Sequence, residues 1–217
     1  MQQKRLGYFS GLVRVARMNQ WPTAGILGAL LIVAACTSMQ PRLQEVQVPP
    51  ERISQKGYSL VPLNEKGWLI AARNPYQLTI GKYGESRDET LAIQATLIKL
   101  QPFTTSEEFV RLVKEGQAKD ATPGRFKMIK HEVIAYTAKG PNCVKTHMVT
   151  EDHAAVKRSE KIGYMVLEGL ILTCAHPKNQ SIGVNVTYSQ RYYPEQQDSG
   201  FLEKALSVLN SVEFSDL

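Results

Sequence analysis

Three cysteines and four histidines are the residues of this 217-residue chain best suited to chemistry. Cys143 and His147, with Cys174 and His176, bring sulfur and imidazole into two short spans, and these are the ligand types zinc prefers. Their spacing argues against one ion, because residues four apart on an extended strand lie roughly 13 Å from each other. The expectation is therefore no metal and no cofactor. Asp152-His153 offers an acid–base pair in a polar segment, and His131 stands beside Glu132 in a long β-prone run. His131, Asp152 and His153 are the candidate catalytic groups of a hydrolase-like enzyme. No HExxH, GxSxG or glycine-rich phosphate loop accompanies them, so the enzyme is the secondary reading. A binding signal comes from Tyr188 to Pro194, YSQRYYP, with His176-Pro177 one turn before its strand. Tyrosine and arginine supply rigid contact area and a fixed donor fork. Arg191, Tyr193 and His176 form the candidate partner surface; the plainer alternative packs the tyrosines in a sheet and pairs Arg191 with a carboxylate.

Address comes before chemistry in the chain. Met1 to Gln20 carries Lys4, Arg5, Arg14 and Arg17 with no acidic residue, and Ala24 to Ala35 is apolar or small. This is the pattern of a basic n-region and an apolar h-region. Twelve residues of helix span only about 18 Å, short of the roughly 20 residues a bilayer needs. Val33-Ala34-Ala35-Cys36 resembles the bacterial lipobox, in which an aliphatic and two small residues precede a cysteine that becomes acylated. The resemblance implies cleavage before Cys36, a lipid on that cysteine and display in the cell envelope. Thr37, where retained lipoproteins carry Asp, resembles the class sorted to the outer membrane, facing the periplasm. The expected partners are the membrane, through the lipid, and a protein of the envelope.

Charge fits that division. The chain is +6, but 4 of its 26 basic residues and none of its 20 acidic ones precede Cys36, leaving 22 against 20 and a net charge near +2. With no basic run interleaved with aromatics, nucleic acid is not expected as a partner. The sequence thus divides into a signal peptide, 1–35; a lipidated, proline-bearing tether, 36–57, with an end-to-end distance of roughly 25 Å if flexible; and one domain, 58–217.

Within the domain, β-prone runs span Gly67 to Arg73, Tyr76 to Tyr83 and Thr90 to Leu100, the last alternating with period two. Thr105 with Glu108 fits a capping box, followed by Phe109, Leu112, Val113 and Gly116 at helical spacing. Arg125 to Ala138 reads as a strand whose alternation slips at Met128-Ile129, which predicts a bulge. Cys143 to Thr150, Gly163 to Cys174 and Ile182 to Tyr192 are further strands. A helix then opens at Asp198 or Ser199 with Leu202, Ala205, Leu206 and Leu209 as its apolar stripe, and Val212 to Phe214 makes a last short strand.

The fold class is α+β, a mainly antiparallel twisted sheet with two packed helices. The order of elements, ending in SVLNSVEF, resembles the PsbP/Mog1-like α/β/α sandwich. That resemblance implies an accessory or assembly role and no catalytic residues. In an oxidising compartment Cys143 and Cys174 are the natural pair. A hairpin centred near Arg158-Ser159 gives paired positions summing to about 317, which sets Cys143 directly opposite Cys174, within disulfide range.

Overall fold

The computed structural model describes residues 43–120 and 124–217. Cys36, the lipobox and the signal peptide lie outside the described residues. Eleven strands and two helices are described, in the order β1 (Gln44–Glu45), β2 (Ile53–Gln55), β3 (Tyr58–Leu60), β4 (Leu69–Asn74), β5 (Gln77–Tyr83), β6 (Thr90–Lys99), α1 (Ser106–Asp120), β7 (Phe126–Ala135), β8 (Cys143–Asp152), β9 (Met165–His176), β10 (Asn179–Tyr192), α2 (Phe201–Asn210) and β11 (Glu213–Phe214). Eight strands form one sheet in the order β1-β4-β5-β6-β10-β9-β8-β7, and a small sheet runs β11-β3-β2. Every pairing is antiparallel. The fold is thus α+β.

The central hairpin follows its register signal. All β8–β9 pairs, from Cys143 with Cys174 to Asp152 with Met165, sum to 317. Cys143 and Cys174 are bonded, with their Cα atoms 4.0 Å apart. The bulge expected at Met128-Ile129 falls between Met128 and Lys130 in β7. Opening α1, the Thr105 hydroxyl accepts the Glu108 backbone N–H at 3.2 Å, while the Glu108 carboxylate accepts from the N–H and hydroxyl of Thr104 at 2.8 and 2.9 Å. This is the capping logic of serine or threonine with a following glutamate, shifted by one residue on its return leg.

The helices cover different faces. Val144 and Ala175 pack with Phe109 and Val113 of α1, while Cys143 and Cys174 join the main core with α2. Neighbouring strand residues point to opposite faces, so α1 lies on one side of the sheet and α2 on the other. The main core is built from Ile80, Ile93, Leu172, Val186 and Tyr188 of the large sheet, Trp68 just before β4, Tyr58 and Leu60 of the small sheet, and Phe201, Ala205, Val208 and Leu209 of α2.

Two expectations change. The segment read as the end of a tether is in part folded: β1 pairs with β4, β2 pairs with β3, and Val46 between them is buried, its N–H donating to the Trp68 carbonyl at 2.8 Å. Strands of two and three residues are too short to show a period, which is why this stretch reads as linker. In α2 the buried stripe is Phe201, Ala205, Val208 and Leu209. Phe201 takes the inward position against Tyr188, their ring centroids 5.4 Å apart. That choice rotates Leu202 outward, where it is 47% exposed.

Candidate functional site

The expected partner surface is largely interior. His176 is fully buried; its Nε2 donates to the carbonyls of Gly57 and Ser215 at 3.1 and 3.0 Å, and its Nδ1 accepts the Lys178 N–H at 3.2 Å. It ties both ends of the small-sheet segment to β9. Tyr193 is buried, and its hydroxyl donates to Asp88 Oδ2 at 2.7 Å. Asp88 also accepts the Ser159 N–H at 2.9 Å and the Ser159 hydroxyl, clamping the β8–β9 loop to the loop before β6. These bonds, from the Ser159 and Tyr193 side chains first, hold the Asp88 carboxyl well below the usual carboxylate range. Arg191 points to the α1 face and is three-quarters buried against Asp152, 3.2 Å away. Strand alternation alone does not say which faces are covered.

The three candidate catalytic groups are not assembled. Asp152 is fully buried at the end of β8, gripped by Arg125 Nε and Nη2 at 2.9 and 3.0 Å. Arg191 on its other side completes an Arg–Asp–Arg cluster. Burial lowers the Arg191 guanidinium pKa, although Asp152 opposes the shift. His131 faces Gln117 of α1 at 3.1 Å, and burial, then Lys114, pushes its pKa down. In register His131 lies opposite Met148 and Asp152 opposite Phe126, so the two are separated by four positions along β8, roughly 13 Å. His153 is exposed on the following loop and pairs with Glu151 at 2.8 Å. Among the described residues, no group of three or more His, Cys, Asp or Glu side chains is placed to hold a metal.

A different constellation emerges on the α2 face. Glu168 of β9 is buried and receives two hydrogen bonds: Tyr192 Oη donates to Oε2 at 2.8 Å, and His147 Nε2 donates to Oε1 at 2.7 Å. Burial first, and the Glu168 bond second, push the Tyr192 phenol pKa up, so it is a fixed donor. Lys130 Nζ donates to the remaining nitrogen, His147 Nδ1, at 3.0 Å and also pairs with Glu132 at 3.1 Å. With Lys130 donating to Nδ1, the imidazole proton sits on Nε2, and both ring nitrogens are engaged. The ring is oriented and stacked on Phe201, centroids 6.3 Å apart.

This relay ends in a groove of about 230 Å³ between β7, β8 and the outward side of α2. Ile134, Leu170, Leu202 and Leu206 line it together with His147, Lys130, Glu132 and Lys145. Lys145 has no hydrogen-bond or ion-pair partner among the described residues; its Nζ lies 4.9 Å from the centre of the Tyr136 ring. The groove can therefore offer an apolar body, an oriented imidazole and an uncompensated ammonium. The signal was present in the register. A sum of 317 sets His147 opposite Leu170, one diagonal step from Glu168, on the face whose helix carries Leu202 and Leu206.

Compared with known proteins, the chain matches no family model and no curated sequence.

Proposed function

We propose that the chain is a bacterial lipoprotein, anchored through an acylated Cys36, whose α+β domain serves as a binding or assembly module in the cell envelope, on the periplasmic side of the outer membrane. The single observation that carries this is cysteine usage. Of three cysteines, Cys143 and Cys174 are bonded to each other, a pairing suited to an exported protein, and the third ends VAAC. With 7 residues between Cys36 and Gln44, the two are at most about 29 Å apart, so the β1 edge of the sheet is held near the leaflet. β7 lies at the other end of the sheet order, with the groove beside it.

The binding surface on this reading is the groove under α2, in place of Arg191, Tyr193 and His176. We also read the domain as a PsbP/Mog1-like sandwich. The placement of α1 and α2 on opposite faces supports that reading, as does the last helix running into β11. A hydrolase using His131, Asp152 and His153 has no support from their separate positions.

Metabolic labelling with an alkyne fatty acid tests the anchor. Wild type should label and fractionate with membranes, and Cys36→Ser should do neither. Labelling that persists in Cys36→Ser overturns the proposal.

A further inference from the structure

We propose that the groove beside α2 binds a small aliphatic monocarboxylate, its carboxylate on Lys145 and its chain against Leu170, Leu202, Leu206 and Ile134. The proposal rests on the reading of this groove as the binding surface and adds the class of ligand. Three observations point to it.

The first is charge. Glu168 already accepts from His147 and Tyr192, and Glu132 is matched by Lys130. Lys145 alone among the charged groups lining the groove has no hydrogen-bond or ion-pair partner among the described residues, its ammonium meeting only the face of the Tyr136 ring. The site therefore has one positive charge to offer, and a carboxylate forms charge-assisted hydrogen bonds with an ammonium. In register Ile134 lies opposite Lys145, Glu132 opposite His147 and Lys130 opposite Val149, so the Lys130–Glu132 pair stands away from Lys145 and Ile134 sets apolar surface beside the ammonium.

The second is exposure. Leu202 and Ile134 are 47% and 42% exposed, yet both line one concavity with Leu170 and Leu206. Leu202 stands where helical spacing alone would bury it, and the rotation of α2 around Phe201 is what turns it into the groove wall. Apolar side chains gathered at a concave, half-exposed site are the common composition of a ligand cleft, with few polar groups setting orientation.

The third is size. A volume of about 230 Å³, at roughly 30 Å³ per water in the liquid, holds about seven or eight heavy atoms. Hexanoate, with a carboxylate and five further carbons, fills that space. A drug-sized ligand needs more, since such pockets run from roughly 300 to 1,000 Å³.

The test is titration of the full-length protein with sodium hexanoate, followed by amide and side-chain NMR. The expected result is saturable binding with Kd on the order of 1 mM and shifts concentrated at Lys145, His147, Leu202 and Leu206. Hexanol and hexylamine, which lack the carboxylate, should bind at least about tenfold more weakly, as should hexanoate on Lys145→Ala; these losses correspond to about 1.4 kcal/mol or more. Leu202→Ala, at an exposed position, should weaken hexanoate a few fold without unfolding the chain. No saturation by tens of millimolar, equal binding of hexanol, or shifts elsewhere on the surface each overturn the proposal. A photocrosslinker at Leu202 separates the two levels of the claim. If hexanoate fails but Leu202 joins an envelope protein in cells, the ligand class falls and the binding surface stands. If both fail, both fall.

Discussion

Asp152 and Glu168 are buried carboxylates on neighbouring strands that face opposite sides of one sheet, and they are satisfied in opposite ways. On the α1 face, Asp152 is enclosed by Arg125 and Arg191, two groups that stay charged at any pH the protein meets. Its network consists of these two arginines, and Arg125 carries it to the surface. Glu168 on the α2 face is held instead by a tyrosine and a histidine, and the histidine carries the network out to a groove edged by Lys130 and Lys145. The difference teaches which buried charge is structure and which is positioned for binding. Burial alone does not distinguish them; the identity of the outermost partner does.

Removing the carboxylate held by two arginines should have the largest effect. Asp152→Ala strands the three-quarters-buried Arg191 beside the partly exposed Arg125 and should destabilise the fold by about 3 kcal/mol, measured by urea unfolding. A loss under about 1 kcal/mol would show that the cluster is held less tightly than its distances imply. Glu168→Gln keeps the volume and one acceptor but loses the carboxylate, and should cost about 1–2 kcal/mol. It should also loosen the hold on the His147 ring, which lines the groove, so its effect on hexanoate binding should exceed that of Asp152→Asn.

A third carboxylate sharpens the contrast through pH. The Asp88 carboxyl is held below its ordinary range by Ser159 and Tyr193. A depressed carboxylate contributes stability that is fully present above the unfolded pKa near 3.9 and is lost as pH falls through the lower folded value. Asp88→Asn should therefore flatten the acid limb of a stability–pH curve below about pH 4 and leave its slope above pH 5 unchanged. The smallest effect on folding belongs to Lys145→Ala, within about 0.5 kcal/mol of wild type, even though it should weaken hexanoate binding most. If that substitution destabilised the fold as Asp152→Ala does, the distinction between the two faces would fail.

Much of the frame was legible in the sequence because its signals are local and periodic. The β8–β9 register, the Cys143–Cys174 pair, the bulge near Ile129 and the Thr105 cap each follow from residues close in the chain or from a single hairpin rule. The site was not legible in the same way. Tyr193 and His176 have the chemistry of a binding surface, but the loop clamped through Asp88 and the return of the C-terminus to Gly57 bury them. Those are long-range contacts with no local signature. Similarly, Leu202 and Leu206 look like core residues until Phe201 takes the inward position. Glu168 and His147 needed the register to be carried one diagonal step further, combined with knowledge of which face α2 covers.

The most direct measurement is long-range 15N–1H NMR of the His147 imidazole in the full-length protein. The expected result is a single tautomer with the proton on Nε2 and an unprotonated Nδ1 that accepts from Lys130, unchanged in Asp152→Asn, with the Nε2–H signal moved in Glu168→Gln and the Nδ1 signal moved when hexanoate is added. An Nδ1–H tautomer, or an averaged ring in the wild type, would contradict a relay that runs from Glu168 through His147 to the groove.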